Sequence, residues 1–330
     1  MRLQIDLIRA RLRAPFVSSA RSLDVRELLL VRLEAPDGAV GYGEAAPLGV
    51  PTEEVRAALE DCQGALAGEL AAELPPPARS AIDLAMWDLA GRRADQPVWR
   101  LLGASATDPV EVNYTIAAAS RDGAAGEASA ARVAGFGCAK VKVGLGDDTS
   151  RLAAVRAATG PDMRIRLDAN GAWSADEALA ALDALAPTQI ELCEEPTSGL
   201  EATGRVAAAS PVRVAIDETA VHPGALERRV CDAMCMKIAR CGGITGLLDT
   251  ARRAHAAGYE TYLASSLDGP LGIAAALHAA AVLRPGRACG LATLGLFDGR
   301  PDVLPVSEGL MGLPAGPGLG DGLLGWYGAS

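Results

Sequence analysis

The sequence predicts an α/β protein in which a parallel, eight-stranded barrel follows an α+β segment. Strand-like segments recur roughly every 20–28 residues from position 110 onwards, and alanine-rich amphipathic stretches separate them. This is the βα spacing of parallel strands joined by crossover helices. Eight strands within roughly 190 residues suit a closed barrel better than an open sheet. The predicted strands are 110–116, 139–143, 165–168, 190–194, 212–217, 233–237, 260–264 and 288–291.

The first hundred residues have a different pattern. Segments 26–34 and 39–45 alternate as antiparallel strands do, and Pro36-Asp-Gly38 forms the turn between them. From Thr52 the pattern becomes helical, with Thr52 as the expected N-cap and apolar residues at helical spacing over 78–90. The sequence therefore predicts a small α+β unit ahead of the barrel.

Composition excludes several classes of function. The chain has 330 residues, is 50% hydrophobic, and carries a net charge of −10 with a pI near 4.9. That charge argues against nucleic acid or an anionic membrane as the main partner. The N-terminus carries charges where a signal peptide needs an apolar run, and no stretch is long enough to span a bilayer. We therefore expect a cytoplasmic enzyme acting on a small molecule.

Cysteine and histidine are poor candidates for the functional site. Seven scattered cysteines are an odd number in apolar contexts, which favours reduced thiols over disulfides. The three histidines are far apart and form no ligand motif, so a zinc centre built on histidine is not expected. No GxGxxG motif follows any predicted strand, which disfavours a dinucleotide-binding fold.

Charged residues follow five consecutive predicted strands. In a barrel the active site is built at the C-terminal ends of the strands, so these side chains should converge. Side chains two residues apart in a strand share a face, which pairs Asp168 with Asn170 ahead of a helix capped by Ser174. The strand-end residues, in chain order, are Lys140 and Lys142, Asp168 and Asn170, Glu194 and Glu195, Asp217 and Glu218, and Lys237.

Three converging carboxylates predict a metal site. They would repel one another and raise their own pKa values, and a hard divalent cation removes that cost. Ligation by oxygen alone favours Mg²⁺ or Mn²⁺ over zinc. We predict Asp168, Glu194 and Asp217 as the ligands, with Asn170 holding a ligand or a water in place.

The lysines then stand on opposite sides of the metal. Lys140 and Lys142 share a strand face, so each cation should make the other easier to deprotonate, as a general base requires. Strands two and six of a barrel face each other, which places Lys237 across the site. A lysine that removes the proton α to a carboxylate, with a metal stabilising the resulting enediolate, suits this arrangement.

These motifs resemble those of the enolase superfamily, in whose sites a lysine base acts together with magnesium. The resemblance rests on Lys140-Val-Lys142, Asp168-Ala-Asn170, Glu194-Glu-Pro196, Asp217-Glu218 and 236–243, and it is strongest for the muconate-lactonizing-enzyme subgroup. It implies a (β/α)7β barrel over 109–296, under an α+β capping domain of residues 1–108 completed by 297–330. It also implies that Lys142 and Lys237 are acid/base catalysts, that Lys140 supports Lys142, and that the protein is a lyase or isomerase and a homo-oligomer.

The resemblance leaves the substrate open among carboxylates. Segments 265–276 and 288–295 resemble o-succinylbenzoate synthases, so a dehydration of that kind is our first expectation. Residues 113–116 and 21–33 resemble N-succinylamino acid racemases and dipeptide epimerases, which are the alternative, together with muconate-type cycloisomerisation. Dipeptide epimerases typically have Asp-x-Asp at the eighth strand end to hold an ammonium, and 290–293 has no acid. A binding barrel without catalysis is disfavoured, because no ligand or lysine is missing.

Several further residues are candidates for contacts with the substrate or with the groups around it. Arg21 lies in a Ser- and Arg-rich segment, 15–22, that we interpret as a flap, and could bind a distal carboxylate. Ser266 and Asp268 follow the seventh strand, although Asp-Gly-Pro is also an ordinary turn. Glu218 completes this set.

Overall fold

The computed structural model describes residues 1–19, 22–62, 74–105, 108–117 and 120–328. The N-terminal region contains an antiparallel sheet in the order β1-β2-β3, and two helices pack against it. This confirms the predicted α+β segment. Its elements are β1 (Arg2–Val17), β2 (Ser22–Glu34), β3 (Val40–Ala45), α1 (Thr52–Asp61) and α2 (Pro76–Ala94).

Two of the predicted helix starts can be compared with the structure. Thr52 is the first residue of α1 and not its N-cap, which is Pro51 without a side-chain cap. The predicted N-cap Ser174 is confirmed, because its side chain accepts from the backbone of Glu177 and the glutamate bonds back to it. This reciprocal pair satisfies two N–H groups that have no partner inside the helix.

Parallel strands form the central sheet. Within the described ranges it has seven strands in the order β11-β10-β9-β8-β7-β6-β5, so neighbours in sequence are neighbours in space. All their C-terminal ends therefore lie along one edge. The strands are β5 (Tyr114–Ile116), β6 (Cys138–Lys142), β7 (Arg164–Asp168), β8 (Ile190–Glu194), β9 (Val214–Ile216), β10 (Ala233–Lys237) and β11 (Glu260–Ala264).

Helices cross over between these strands and bury small residues against them. Alanine is common on the buried faces, which lets a helix approach the sheet closely. The crossover helices are α4 (Arg121–Val133), α5 (Asp148–Thr159), α6 (Ala175–Leu185), α7 (Leu200–Ala209), α8 (Ile238–Cys241) and α9 (Gly243–Ala257). The short helix α3 (Val98–Leu101) follows α2, and α10 (Pro270–Leu283) follows β11.

Two predicted strands differ from the observed ones. The segment 110–116 is divided into β4 (Val110–Glu111) and β5, and β4 pairs with a different sheet. The predicted eighth strand, 288–291, forms only isolated parallel bridges, from Cys289 to Val112 and from Gly290 to Ala264. The second bridge reaches the edge strand β11, and the first reaches Val112, two residues before the other edge strand, β5.

The C-terminal residues return to the N-terminal region. Phe297 bridges to Leu12 of β1, and Gly318 bridges to Pro97 beside α3. The short strands β12 (Val306–Ser307) and β13 (Leu310–Met311) pair antiparallel, and β13 pairs with β4. The final helix, α11 (Gly325–Gly328), buries Trp326 and Tyr327.

Two observations bear on the expectations from composition. Among the residues that the structure describes, no helix combines the length and apolar character needed to cross a membrane. The seven cysteines are free thiols, six of them buried and Cys241 half-buried.

Helix α2 lies directly on strand β3 because two glycines allow it. A Cβ atom on Gly41 or Gly43 would overlap the backbone carbonyls of Ala85 and Ala81 in α2. Neither glycine has a positive φ, so the requirement is for space and not for backbone freedom.

We expect Gly43→Ala to lower the free energy of unfolding by on the order of 3 kcal/mol, because the new methyl group forces the helix away from the strand. Urea denaturation of the two proteins measures this. Gly126→Ala is the matched control, since Gly126 is an exposed helical residue with open space around it and should be neutral or slightly stabilising. Equal losses in both variants would contradict the argument.

Candidate active site

The charged residues predicted at the strand ends converge at one end of the central sheet. Lys140 and Lys142 lie on β6, Asp168 ends β7, Glu194 ends β8, Asp217 follows β9 and Lys237 ends β10. All six are buried, with exposed fractions between 0% and 9%. Charged groups are buried at this level only when each has a compensating partner.

Ammonium groups provide that compensation on the β6 side. The Nζ of Lys140 lies 2.8 Å from Oδ2 of Asp168 and 2.6 Å from Oε1 of Glu194. The Nζ of Lys142 lies 2.7 Å from the same Asp168 oxygen and 2.8 Å from Oδ1 of Asn170. Asp168 and Glu194 are thus joined through one lysine, which shows that two of the predicted ligands face the same point.

The β10 side has a second ion-pair cluster. Nζ of Lys237 lies 2.5 Å from Oδ2 of Asp217, and Nη1 of Arg240 lies 2.5 Å from the other oxygen. Arg240 also approaches Glu218 at 3.7 Å. Arg240 was absent from the predicted site residues, and the signal that could have found it is its position three residues after Lys237.

The pKa shifts follow from burial and these pairs. Burial opposes ionisation of Asp168, but Lys140 and Lys142 outweigh it and hold the pKa of that carboxyl well below its usual range. Asp217 behaves in the same way beside Lys237 and Arg240. Burial lowers the pKa of Lys140, yet Asp168 and Glu194 raise it well above its ordinary value. The carboxylates, and not the neighbouring lysine, therefore dominate the charge state of Lys140, contrary to the expectation from sequence.

The donor set fits a hard divalent cation. Ligand atoms of Glu194, Asp217 and Cys235 lie within 4.8 Å of one another, and all three residues are buried. Asp168 is outside that group of three and connects to it through Lys140. Three carboxylates on successive strands are the oxygen donors that Mg²⁺ prefers. Cys235 was not predicted here, although it lies two residues before Lys237 and so faces the same side of β10.

The two adjacent glutamates at the end of β8, Glu194 and Glu195, make different contacts. Glu194 faces the cluster of charges, whereas Glu195 turns the other way and accepts hydrogen bonds from the backbone N–H groups of Asp217 (2.6 Å) and Thr219 (2.9 Å). Burial raises the pKa of Glu195 to about 7. Glu195 fixes the backbone that carries Asp217, so it positions a candidate ligand.

A cavity of about 330 Å³ opens above these charges. Phe16, Ser18, Leu23 and Leu48 line it from the N-terminal region. The Phe16 ring lies 5.4 Å from Nζ of Lys142. From the central sheet and its loops come Thr115, Lys140, Lys142, Asp168, Asn170, Glu218, Val221, Lys237, Arg240, 264–267, Gly290 and Thr293.

The further candidates for substrate contacts differ in where they lie. Asn170 and Glu218 line the cavity, and so does Ser266. Asp268 does not: it is buried behind the loop and accepts from the backbone of Ser266 at 2.7 Å. The turn interpretation of Asp268 therefore fits the structure better than a substrate contact. Arg21 lies outside the described residues.

A buried network ties the loop after β11 to the N-terminal sheet. Arg26 of β2 donates to the backbone oxygen of Ser266 at 3.3 Å. Glu44 of β3 accepts from the N–H of Gly269 at 2.8 Å and bonds the hydroxyl of Tyr327. The wall of the cavity formed by 264–267 is thus held by side chains from the start and the end of the chain.

Comparisons with known proteins identify the family. Residues 123–323 match the family described as "Enolase C-terminal domain-like", and residues 63–103 match "Mandelate racemase / muconate lactonizing enzyme, N-terminal domain". The chain belongs to the enolase superfamily. Within it the chain falls in the muconate-lactonizing-enzyme subgroup, and it is an enzyme of that subgroup.

Three relatives resemble this chain in sequence over most of their length. The L-Ala-D/L-Glu epimerase of Bacillus subtilis is 29% identical, covering 86% of this chain and 85% of the relative. The hydrophobic dipeptide epimerase of Enterococcus faecalis is 31% identical and covers 91% of each. The N-succinyl-L-Arg/Lys racemase of Bacillus cereus is 28% identical, covering 83% and 81%.

Solved structures of the same three relatives superpose closely. The substrate-liganded complex of the B. subtilis epimerase has a TM-score of 0.88 at 28% identity, covering 97% of this chain and 98% of that one. The E. faecalis dipeptide epimerase, complexed with Mg and L-Leu-L-Tyr, gives 0.88 at 26%, covering 97% and 98%. The B. cereus racemase gives 0.89 at 27%, covering 97% and 95%.

The buried carboxyl of Glu44 should make the stability of the folded protein depend on pH. Burial and the nearby charge of Asp268 raise the pKa of Glu44 to about 8, whereas the unfolded chain releases this proton near pH 4.5. The folded state binds more protons between these values, so stability falls as pH rises from about 4.5 to 8. Glu44→Gln should remove this loss, on the order of 4 kcal/mol at pH 8.

Urea denaturation at intervals from pH 5 to 8.5 measures the effect. The exposed Glu60 (51% of its side chain) provides the control, and Glu60→Gln should keep the slope of the wild type. An unchanged slope in Glu44→Gln would show that another group titrates.

Proposed function

We propose that this enzyme catalyses Mg²⁺-dependent racemisation or epimerisation at the carbon α to the carboxylate of an N-acylated amino acid. The observation that carries the proposal is that Lys142 and Lys237 line one cavity from β6 and β10, strands separated in the sheet by β7, β8 and β9. Two bases on opposite sides of one carbon allow a proton to leave one face and return to the other.

The roles of the lysines follow from their surroundings. In one direction Lys142, as the neutral amine, accepts the α-proton while Lys237, as the ammonium, donates to the opposite face, and the roles exchange in the reverse direction. Asn170 holds Lys142 by its amide oxygen, and Asp217 holds Lys237. Each nitrogen is thus aimed before the substrate arrives, which reduces the cost of orientation.

Asp168, Glu194 and Asp217 would hold the Mg²⁺ ion. Its bound charge would neutralise these carboxylates and stabilise the negative charge that develops on the substrate carboxylate after deprotonation. Their burial and their oxygen donors support the assignment, and so does the Mg bound in the E. faecalis relative. Lys140, between Asp168 and Glu194, keeps those two carboxylates together.

The cavity wall favours an acyl group over a free ammonium on the substrate. Gly290 and Thr293 line the cavity near the predicted eighth strand, and the next acid along the chain, Asp298, is exposed and does not line the cavity. Among the described residues the ammonium of a dipeptide has no carboxylate there. Dipeptide epimerisation, the reaction in the names of two relatives, is therefore our second candidate.

The dehydration of an o-succinylbenzoate precursor stays a prediction. It needs the same proton abstraction, followed by loss of a hydroxyl from the adjacent carbon, and the charged groups of the cavity could serve both reactions. The named racemase and epimerase relatives support racemisation instead.

We infer further that the central sheet closes as a (β/α)7β barrel through Cys289 and Gly290, whose bridges reach the residues just before β5 and the end of β11. Residues 1–108 with 297–330 would then form a capping domain over a barrel of 109–296. The bonds from 297–319 to β1 and α3 support this division.

Proton exchange in D₂O, followed by mass spectrometry, tests the reaction on N-succinylamino acids, dipeptides and the cyclohexadiene precursor of o-succinylbenzoate. We expect deuterium at the α-carbon and inversion of one N-acylamino acid class, lost with EDTA. Exchange of dipeptides alone would favour the second candidate, and loss of water from the cyclohexadiene would establish the dehydration.

Single-lysine variants separate the two bases. Lys142→Ala and Lys237→Ala should each slow racemisation by about 10³-fold, because one face loses its acid or base. Each variant should still exchange the α-proton of one enantiomer, and the two variants should favour opposite enantiomers. Exchange of the same enantiomer by both would contradict the two-base arrangement.

A further inference from the structure

The layer of side chains directly beneath the carboxylates contains a tyrosine. Tyr262 lies on β11 with 2% of its surface exposed, and its hydroxyl donates to Oε2 of Glu194 at 2.7 Å. The other oxygen of Glu194 accepts from Lys140 at 2.6 Å. Each oxygen of this carboxylate therefore has its own partner, and the two partners together define the plane of the group.

A buried arginine holds the tyrosine ring. The guanidinium of Arg166 lies 4.8 Å from the centre of the Tyr262 ring, and Arg166 is only 1% exposed. Its Nε lies 2.5 Å from Glu191, and its Nη1 donates to the backbone oxygen of Ala288 at 2.6 Å. Stacking a cation on the ring face adds attraction to the packing of the ring.

The neighbouring strands leave room for the ring. Tyr262 packs in a cluster whose other members are Leu192, Cys235 and three alanines, Ala215, Ala233 and Ala264. Small residues on adjacent strands supply the space that a large planar side chain needs. A phenylalanine would fill the same space, so packing alone does not call for the hydroxyl.

Burying the charge of Arg166 in the interior costs stability. Branched aliphatic side chains usually fill the interior of such barrels, whereas here a guanidinium is buried, and its Nη2 has no hydrogen-bond partner among the described residues. A buried charge that is imperfectly satisfied lowers stability relative to an apolar replacement. Arg166 stacks on Tyr262, and the Tyr262 hydroxyl donates to Glu194, so the buried pair connects to a predicted metal ligand.

We propose that Tyr262, held by Arg166, is a positioning residue that fixes the carboxylate of Glu194 for a divalent cation. This inference rests on the metal site of the proposed function. The phenol stops the carboxylate from rotating toward Lys140 alone and keeps its oxygens aimed between Asp168 and Asp217.

Binding of Mn²⁺, measured by electron paramagnetic resonance, tests the inference without any substrate. Tyr262→Phe keeps the ring and removes the hydroxyl, and we expect Mn²⁺ to bind about tenfold more weakly, with Mg²⁺ weakened in competition. The metal-free variant should unfold at a similar temperature to the wild type. Arg166→Lys, which keeps the charge but loses the flat stack, should weaken Mn²⁺ by a smaller factor.

Tyr259→Phe is the matched control. The Tyr259 hydroxyl contacts the backbone of Arg228 and Val230, away from the carboxylates, so this variant should bind Mn²⁺ as the wild type does. Unchanged or tighter binding in Tyr262→Phe would overturn the positioning role and leave the metal site standing. Absence of Mn²⁺ binding in the wild type would overturn the metal site, and this inference with it.

Discussion

The structure depends on how positive side chains balance the negative charges of its buried carboxylates. Asp168, Glu194 and Asp217 are almost completely removed from water, and an isolated carboxylate at such a site would take up a proton instead of remaining charged. Lysines from both sides pair with them: Lys140 with Asp168 and Glu194, and Lys237 with Asp217. Because an interior charge must always have a counter-charge nearby, the groups suited to bind a cation and the groups suited to move a proton necessarily lie together.

Backbone hydrogen bonds extend this constraint outward. Glu195 fixes the turn that carries Asp217, and Arg26 and Glu44 hold the loop that forms one wall of the cavity. The charged cluster is built on rigid strands, whereas the walls that a substrate would meet are assembled from several distant segments. This separation lets relatives share chemistry while their substrates differ.

Polar side chains also hold one another in place beneath the site. Arg166 is a buried cation that stacks on the Tyr262 ring, and the Tyr262 hydroxyl donates to Glu194. Gly41 and Gly43 show the opposite case, because there the missing side chains allow a helix and a strand to pack at the shortest distance. Stability and site geometry are thus served by different residues.

The sequence alone determined the α/β alternation, the α+β segment and the set of charged strand ends. These depend on local periodicity and on the rule that parallel strands end at one edge, so neighbouring residues in the chain suffice to find them. It also predicted that Lys142, Lys237 and the three carboxylates form one site. The predicted eighth strand is reduced in the structure to two isolated bridges, from Cys289 to Val112 and from Gly290 to Ala264.

Only the tertiary structure decided which neighbours each polar residue has. Lys140 pairs with carboxylates from two other strands, Asp268 turns away from the cavity, and Cys235 and Arg240 join the site. The Tyr262–Glu194 hydrogen bond spans 68 residues. Contacts of this kind arise from strand register and loop path across the whole chain, and local sequence carries no information on which distant side chain will occupy the adjoining space.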